Sequence, residues 1–258
     1  MIEHKISAND IRLERYLKKT FPHIPYGTWQ KWLRKKLLKI NGAKIPADYV
    51  TKEGDTLFLP NGFETFEEEL KVPPRINPKT LSLLKDSVLY EDQDILIINK
   101  PQGLSVQGGS NVKDCVDFYM SELCPKNKEP LRLTHRLDKD TSGVLILAKH
   151  LEAARQVTQA FKDHEIEKTY HAIIVGIPHK KKGVMTESIG KMMGAQKEMM
   201  SIHAPQALEA MTVYEVIEPL SNGLCLIKLM PKTGRTHQLR VHCAEVLNCP
   251  ILGDGKYG

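Results

Sequence analysis

The fold class of this chain is indicated by one charged stretch of ten residues, Thr134-His135-Arg136-Leu137-Asp138-Lys139-Asp140-Thr141-Ser142-Gly143. An apolar run, residues 144–148, follows directly and predicts a buried strand. Such a strand would hold the charged stretch rigidly as a loop at its end, where binding and catalytic residues concentrate. From the residues alone, a solvated turn before a core strand is an equally good interpretation.

The order of side chains in this stretch is specific. His135-Arg136-Leu137-Asp138-Lys139-x-Thr141-Ser142-Gly143 resembles the signature of the RluA-type pseudouridine synthases. Two later segments resemble further motifs of that family, namely Glu167-Lys168-Thr169-Tyr170-His171-Ala172 and Gly234-Arg235-Thr236-His237-Gln238-Leu239-Arg240-Val241-His242, the latter followed by Pro250-Ile251-Leu252-Gly253-Asp254 and Tyr257-Gly258. Three matches in the right order over roughly 120 residues argue strongly against coincidence.

The resemblance implies a fold and a reaction. The fold would be α+β, with a mixed and mainly antiparallel sheet, flanking helices and a cleft across its middle. The reaction would be the isomerisation of uridine to pseudouridine in RNA, without a cofactor. This reaction breaks the C1′–N1 glycosidic bond, turns the freed uracil and rejoins it through C5.

By resemblance, Asp138 is the catalytic carboxylate. It could attack or stabilise C1′, or take the 2′ proton to give a glycal, and the sequence leaves both routes open. Either route needs an ionised carboxylate in a closed site that disfavours charge. Arg240 matches the family arginine beside this aspartate, and we expect its planar fork to bind the carboxylate at two points.

Tyr170 matches the family tyrosine beneath the uracil ring, where it would hold the detached base and could move a proton from C5. Without the motif, a strand aromatic packed in the core would be the simpler interpretation. Arg136 would either help to extrude the target base, which costs a few kcal/mol of unstacking, or pair with a phosphate, and both roles stay open. The other expected substrate-binding residues are His135, Lys139, Arg235 and His237.

Positive charge is concentrated near the start of the chain. The first 60 of the 258 residues carry 12 Lys and Arg against 6 Asp and Glu, whereas the remainder carries 25 of each, so the net charge of +6 comes from this segment. An asymmetry of this kind predicts contact with a polyanion, most simply a nucleic acid.

Residues 9–59 predict a compact unit with two helices. Asn9 or Asp10 would cap the first helix and Thr28 the second. The second helix would carry an apolar stripe formed by Trp29, Trp32, Leu33 and Leu37. A turn at Asn41-Gly42 and two short strands would complete the unit.

The same unit resembles an S4 RNA-binding module. The resemblance rests on Arg12-Leu13-x-x-Tyr16-Leu17, the basic second helix, Ile40-Asn41-Gly42-x-Lys44 and Gly54-Asp55. The candidate RNA-binding cations are Arg12, Lys31, Arg34, Lys35, Lys39 and Lys44. A solvated outer face is the alternative, but several cations on one short helix with few acids favour RNA, chiefly through its phosphates.

The predicted domains are residues 1–60 (S4-like), 61–87 (an extended linker with an acidic patch at 64–69) and 88–258 (synthase). Lys100-Pro101-x-Gly103-Leu104-x-Val106 resembles the start of the synthase domain. Strands are predicted at 95–100, 170–175, 213–217 and 224–229, helices at 151–163 and 237–247, and a long loop at 178–206.

Other chemistries fit the sequence poorly. His237 and His242 are five residues apart, which does not place two metal ligands on one helical face, so we expect no metal. The G-x-S-x-G elbow of a serine hydrolase is absent around Ser142. Five cysteines without a C-x-x-C pair favour a reducing compartment. Without a signal peptide or a membrane-length apolar run, we expect a soluble, cytoplasmic protein with no membrane association. We also expect a monomer.

The combination of an S4-like module with this catalytic class resembles the bacterial large-subunit ribosomal RNA enzymes, so 23S rRNA is the expected substrate in preference to tRNA. Related chains continue past the residues that match Tyr257-Gly258, which implies missing strands and an exposed sheet edge. The alternative function is therefore an RNA-binding protein that acts through the S4-like module, with an inactive, shortened synthase domain.

Overall fold

The computed structural model describes residues 1–45, 49–61, 63, 76–108, 112, 114–193 and 198–258. The contacts within it divide the chain into two compact units, Met1–Arg75 and Ile76–Gly258. The acidic patch predicted at residues 64–69, and the linker residues 70–75 after it, lie outside the described residues.

The first unit packs two helices against a four-stranded antiparallel sheet with the strand order β1-β4-β2-β3. Its elements are β1 (Ile2–Lys5), α1 (Leu13–Thr20), α2 (Tyr26–Arg34), β2 (Lys39–Ile40), β3 (Ala43–Lys44) and β4 (Thr56–Leu59). Leu17 of α1, Trp29 of α2 and Leu57 of β4 are buried together in one apolar core. Burial of one face of each element holds this small unit together.

The predicted Asn41-Gly42 turn is confirmed. Both residues have positive φ angles, 49° and 79°, which a type I′ hairpin turn between β2 and β3 requires. The Asn41 side chain also accepts a hydrogen bond from the backbone N–H of Thr56 (2.8 Å). The turn therefore fixes the register of the hairpin and its contact with β4.

Both predicted helix caps are wrong. α1 begins after Arg12, because Asn9 instead accepts a hydrogen bond from the N–H of Glu53 (2.7 Å) and Asp10 adopts a positive φ of 57°. α2 begins after Pro25, whose fixed φ suits a helix start, so Thr28 lies inside the helix. The predicted apolar stripe is shorter than expected, since α2 ends at Arg34 and Leu37 is exposed.

The second unit begins with a helix where the sequence predicted an extended linker. α3 (Pro78–Asp86) starts after Asn77, whose side chain accepts a hydrogen bond from the N–H of Lys79 (3.0 Å). Proline is favoured at the first helical position, so Pro78 initiates a helix here and does not mark a linker.

Two four-stranded sheets form the body of the second unit. The first, with the order β5-β6-β8-β7, contains β5 (Val88–Glu91), β6 (Ile95–Lys100), β7 (Arg132–Leu133) and β8 (Gly143–Ala148). The second, with the order β10-β13-β14-β9, contains β9 (Tyr170–Val175), β10 (Lys182–Met185), β13 (Thr212–Pro219) and β14 (Leu224–Pro231). All pairings within these sheets are antiparallel, which confirms the predicted α+β, mainly antiparallel character.

The remaining elements flank these sheets. They are α4 (Met120–Leu123), α5 (Leu151–Lys162), the hairpin of β11 (Gly190–Met193) and β12 (Glu198–Ser201), and α6 (Gln238–Val241), which continues into a π-helical turn (His242–Val246). The prediction of a long loop at residues 178–206 is wrong, because β10, β11 and β12 lie there. Each of these strands has only four residues, too few for a clear alternation of apolar and polar side chains.

Each sheet covers its own apolar core. Ile98 and Leu145 belong to the core of the first sheet, whereas Ile174 and Ile227 belong to that of the second. Tyr170, the first residue of β9, packs against both cores. It therefore lies where the two halves of the unit meet.

The outer edge of β9 is partly paired. The N–H of Val175 donates to the carbonyl of Pro250, and the N–H of Leu252 donates to the carbonyl of Ile173, both at 2.8 Å. This part of the expected sheet edge is therefore covered, although the side chains of Val175 and Ile177 remain exposed. Among the described residues, no helix has the length and apolar character needed to cross a membrane.

Candidate active site

The charged stretch of the sequence forms the loop between β7 and β8, and its first two side chains fasten it to β8. The hydroxyl of Thr134 donates to the carbonyl of Ile146 (2.7 Å), and the N–H of Ile146 donates to Nε2 of His135 (2.9 Å). Side chains thus continue the pairing that the backbone makes up to Leu133 and Leu147. At the other end of the loop, Gly143 has a φ of +122°, a conformation that favours glycine.

A buried lysine holds the loop from inside the protein. Lys100 is fully buried at the end of β6, and its ammonium donates to the carbonyls of Pro101 (2.8 Å), Leu104 (2.7 Å) and Lys139 (3.1 Å). The Lys139 carbonyl also accepts from the N–H of Gly103 (3.0 Å). Burial lowers the pKa of Lys100 to about 8, although the charges of Asp140 and Asp138 oppose this shift.

Asp138 presents its carboxylate beside a guanidinium and an imidazole. Arg240 Nη1 lies 3.4 Å from Asp138 Oδ2, and His237 Nε2 lies 3.9 Å from the same oxygen. The side chain of Asp138 is 24% exposed, so the carboxylate is sheltered but still accessible. The backbone around it is fixed by a turn in which the N–H of Thr141 donates to the Asp138 carbonyl (3.1 Å).

The expected two-point pairing of Arg240 with Asp138 is wrong. The fork of Arg240 binds Asp254 instead, with Nε and Nη2 each 2.7 Å from a carboxylate oxygen. Asp254 is the better partner because its side chain is only 4% exposed, and a buried carboxylate needs the stronger bidentate contact. Burial alone would raise the pKa of Asp254, but hydrogen bonds from Arg240, Lys256 and Tyr257 hold its pKa below the usual value.

Tyr257 connects the other side of this cluster. Its hydroxyl accepts a hydrogen bond from the N–H of Met200 (3.1 Å) and therefore can donate its own proton to Nδ1 of His237 (2.7 Å). In that arrangement Nε2 of His237 carries a proton and faces Asp138. Burial lowers the pKa of His237 despite the opposing charge of Asp138. The guanidinium of Arg240 lies 5.0 Å from the centre of the Tyr257 ring, a cation–π contact.

Tyr170 packs against the apolar core that contains Leu137, the residue before Asp138. Burial raises the pKa of Tyr170, and the negative charge of Asp138 raises it further, so its hydroxyl keeps its proton at neutral pH. Since Tyr170 also lies where the two sheets meet, the predicted catalytic residues Asp138, Tyr170 and Arg240 come together at one place. The structure brings them there from three separate segments of the chain.

The other predicted substrate-binding residues lie around this cluster in different settings. Arg136, Lys139 and Arg235 are exposed, and Arg235 donates to the carbonyl of Glu209 (2.8 Å). His135 packs against Phe161, and its Nε2 accepts from the N–H of Ile146 in β8, so only its Nδ1 is left for a substrate. Burial and the charge of Lys168 lower the pKa of His135 to about 4.

Sequence reasoning missed several residues that build the site. It quoted Lys100, Asp254 and Tyr257 within motifs but gave them no role, because nothing in the sequence says which groups these side chains contact. Gln238 was also missed, although it is buried and binds Thr233, Arg235, Met211 and Thr212. A polar residue at the first turn of a short helix gives no signal of burial.

The histidines of the third motif do not form a metal centre with Asp138. His242 is fully buried and is engaged by the Thr212 hydroxyl (2.9 Å) and the Glu187 carbonyl (3.0 Å). Within the part of the chain that the structure describes, no group of three or more His, Cys, Asp or Glu side chains is arranged to hold a metal ion.

Comparisons with known proteins identify the family of the chain. A family model described as RNA pseudouridylate synthase matches residues 94–245. The ribosomal large subunit pseudouridine synthase C of Rickettsia typhi is 39% identical over 250 residues, covering 96% of this chain and 82% of that protein. Its counterpart from Buchnera aphidicola subsp. Baizongia pistaciae is 34% identical over 248 residues, covering 96% and 77%.

A solved structure is similar as well. Human RNA pseudouridylate synthase domain containing 4 aligns with a TM-score of 0.60 and 35% sequence identity, covering 70% of this chain and 72% of that one. Human RNA pseudouridylate synthase domain containing 1 aligns with a TM-score of 0.58 and 29% identity, covering 71% and 73%.

The role of Lys100 can be tested by removing its charge. Lys100→Met should lower the free energy of unfolding by about 2 to 4 kcal/mol, because buried carbonyls lose their donor. Hydrogen exchange at residues 136–141 should accelerate in parallel. Lys139→Met is the matched control, since its side chain is exposed and only its carbonyl binds Lys100. Equal stability of the two variants would contradict this role.

The neutral state of His135 predicts a pH dependence. The pKa of His135 in the folded protein, about 4, lies below the ordinary value of 6.5. Between pH 4 and 6.5 this imidazole is therefore protonated in the unfolded chain but neutral in the folded one. Stability should therefore fall as pH drops from 6.5 to 4, by on the order of 2 to 3 kcal/mol from this residue. Denaturant unfolding of His135→Gln should show a flatter pH profile over that window. An unchanged profile would show that His135 does not titrate there.

Proposed function

The chain belongs to the RNA pseudouridylate synthase family, and on this premise we propose that Asp138 is the carboxylate with which it isomerises uridine in ribosomal RNA. The observation that carries the proposal is the convergence of Asp138, Arg240 and Tyr170 where the two sheets meet. A uridine would have to leave its helix to reach this place, since its glycosidic bond is inaccessible in a stacked base.

The two oxygens of the Asp138 carboxylate would have different tasks. Arg240 and His237 both approach Oδ2, which leaves Oδ1 to face the ribose. The guanidinium keeps its charge at any physiological pH, so it favours the ionised carboxylate throughout the reaction. Oδ1 would then attack C1′ or accept the 2′ proton, and these two routes remain alternatives.

Tyr170 would support the uracil during its rotation. Because its pKa is raised by burial and by Asp138, the hydroxyl acts as a hydrogen-bond donor, and its ring supplies a flat surface for the detached base. Arg136 is exposed on the same loop as Asp138. It would either take the place of the everted base or bind a phosphate, and Lys139, Arg235 and His237 would line the entrance.

The proposed substrate is the RNA of the large ribosomal subunit, in preference to tRNA. The relatives from Rickettsia typhi and Buchnera aphidicola bear the name ribosomal large subunit pseudouridine synthase C, which supports this choice. An enzyme that modifies ribosomal RNA would act in the compartment that holds ribosomes.

The first unit would bind the RNA as an S4-like module over residues 1–60. All the predicted cations are exposed, namely Arg12, Lys31, Arg34, Lys35, Lys39 and Lys44. Lys31 and Arg34 lie in the last turn of α2, whose buried face carries Trp29. Exposed cations on a helix of fixed orientation suit phosphate contacts, which position an RNA without reading its sequence.

The central test uses unmodified large-subunit ribosomal RNA. The wild type should form pseudouridine at specific positions, and Asp138→Asn should lose at least about a thousandfold in turnover, equivalent to roughly 4 kcal/mol of transition-state stabilisation. RNA affinity should change little, because one partly exposed carboxylate adds no attraction for phosphate. Asp140→Asn is the control, being an exposed carboxylate two residues away.

The outcome also separates the two candidate functions. RNA binding without any modification by the wild type would favour the alternative of an RNA-binding protein with an inactive synthase domain. Turnover retained in Asp138→Asn would remove Asp138 from its proposed role.

A second test concerns the basic helix. The double variant Arg34→Glu and Lys35→Glu should bind RNA more weakly, and the slope of log affinity against log salt should be shallower by about 0.7 for each phosphate that these cations no longer neutralise. Lys126→Glu with Lys128→Glu makes the same change in net charge on exposed residues of the second unit. Equal effects of both pairs would show that only net charge matters, and not the position of these cations.

A further inference from the structure

One cation beside the proposed site has no role in the chemistry described so far. Lys168 lies two residues before Tyr170 and is half-buried. It precedes β9, whose first residue is Tyr170. The charge of Lys168 acts on His135 and the charge of Asp138 acts on Tyr170, so both residues lie beside the loop that carries His135 and Asp138. Lys168 therefore faces the same loop as Tyr170, nearer to the end that holds His135.

A second lysine lies next to it. In the antiparallel pairing of β14 with β9, Leu229 is opposite Tyr170. The chain that continues beyond Leu229 therefore runs back past the residues that precede Tyr170, which brings Lys232 towards Lys168. Burial lowers the pKa of Lys168, and the positive charge of Lys232 lowers that pKa further.

This pair of like charges is uncompensated. Among the described residues, neither ammonium has a carboxylate within ion-pair distance. Two exposed lysines in water repel each other little, but Lys168 is half-buried and keeps only part of its hydration. Placing a second cation beside it costs free energy that an anion between them would recover.

We propose that Lys168 and Lys232 form a phosphate-binding pair that holds a phosphodiester of the everted uridine. The inference rests on the proposed function, because it takes the base to lie on Tyr170. Lys168 is only two residues from Tyr170 in the chain, so a nucleotide whose base lies on Tyr170 would carry its phosphate within reach of a lysine side chain. Two ammonium groups on one phosphate would fix the ribose so that C1′ meets Asp138.

The test combines charge removal in the protein with charge removal in the RNA. Lys168→Gln, Lys232→Gln and the double variant would be compared with Lys180→Gln, an exposed lysine beyond the far end of β9. The substrate would be a fragment of large-subunit ribosomal RNA that contains a uridine modified by the wild type. It would be prepared with normal linkages or with a neutral methylphosphonate on the 5′ or the 3′ side of that uridine.

We expect the double variant to bind the normal fragment about tenfold more weakly, with a salt slope shallower by about 0.7. One of the two methylphosphonates should weaken wild-type binding by a similar factor and have almost no effect on the double variant. Lys180→Gln should respond to methylphosphonate as the wild type does. Lys168→Arg should keep most of the wild-type affinity, because a guanidinium also binds phosphate.

Two results would overturn the inference. If the double variant loses turnover but keeps the full wild-type penalty for both methylphosphonates, the lysines only stabilise the fold. If Lys168→Gln does not fold, the Lys232→Gln variant, which changes an exposed residue, can be compared with the wild type for its methylphosphonate penalty. If all variants bind and turn over like the wild type, the pair contacts no phosphate. A wild type that binds unmodified large-subunit ribosomal RNA but forms no pseudouridine anywhere in it would instead overturn the proposed function, and the assignment of the pair with it.

Discussion

The arrangement of the candidate site depends on the ammonium of Lys100, which lies inside the protein and is surrounded by three backbone carbonyls. One of these carbonyls belongs to Lys139, the residue after Asp138. A loop that carries several charges would otherwise be drawn out into water. This buried cation ties the loop to the end of β6, so that strand pairing in the first sheet determines where Asp138 is presented.

A second constraint acts from the opposite side. Arg240 lies between two carboxylates and binds them in different ways. It makes a two-point contact with the buried Asp254 and one longer contact with the accessible Asp138. The strong pairing fixes the guanidinium, and the weak one leaves the second carboxylate available. An arginine already held by a structural partner needs no rearrangement when a substrate arrives, which is the electrostatic preorganisation expected of an active site.

The sequence was sufficient for some features and not for others. Strands such as β6 and β14, with long apolar runs, and the Asn41-Gly42 turn were predictable because their signals are local. The partner of Arg240 was not, because Asp138 and Asp254 are both plausible carboxylates and only their relative burial decides. The helix α3 was missed because Pro78 signals both a linker and a helix start, and the four-residue strands β10 to β12 carry too short a pattern.

The hydrogen bond between the N–H of Met200 and the hydroxyl of Tyr257 connects a hairpin that is distant in sequence to the histidine beside Asp138. Since the group supplied by the hairpin is a backbone amide, nearly any amino acid at position 200 provides it, and only proline removes it. The support for His237 from this amide therefore does not depend on which side chain residue 200 carries. At this position the path of the main chain supplies the contact, a dependence that residue identities alone do not reveal.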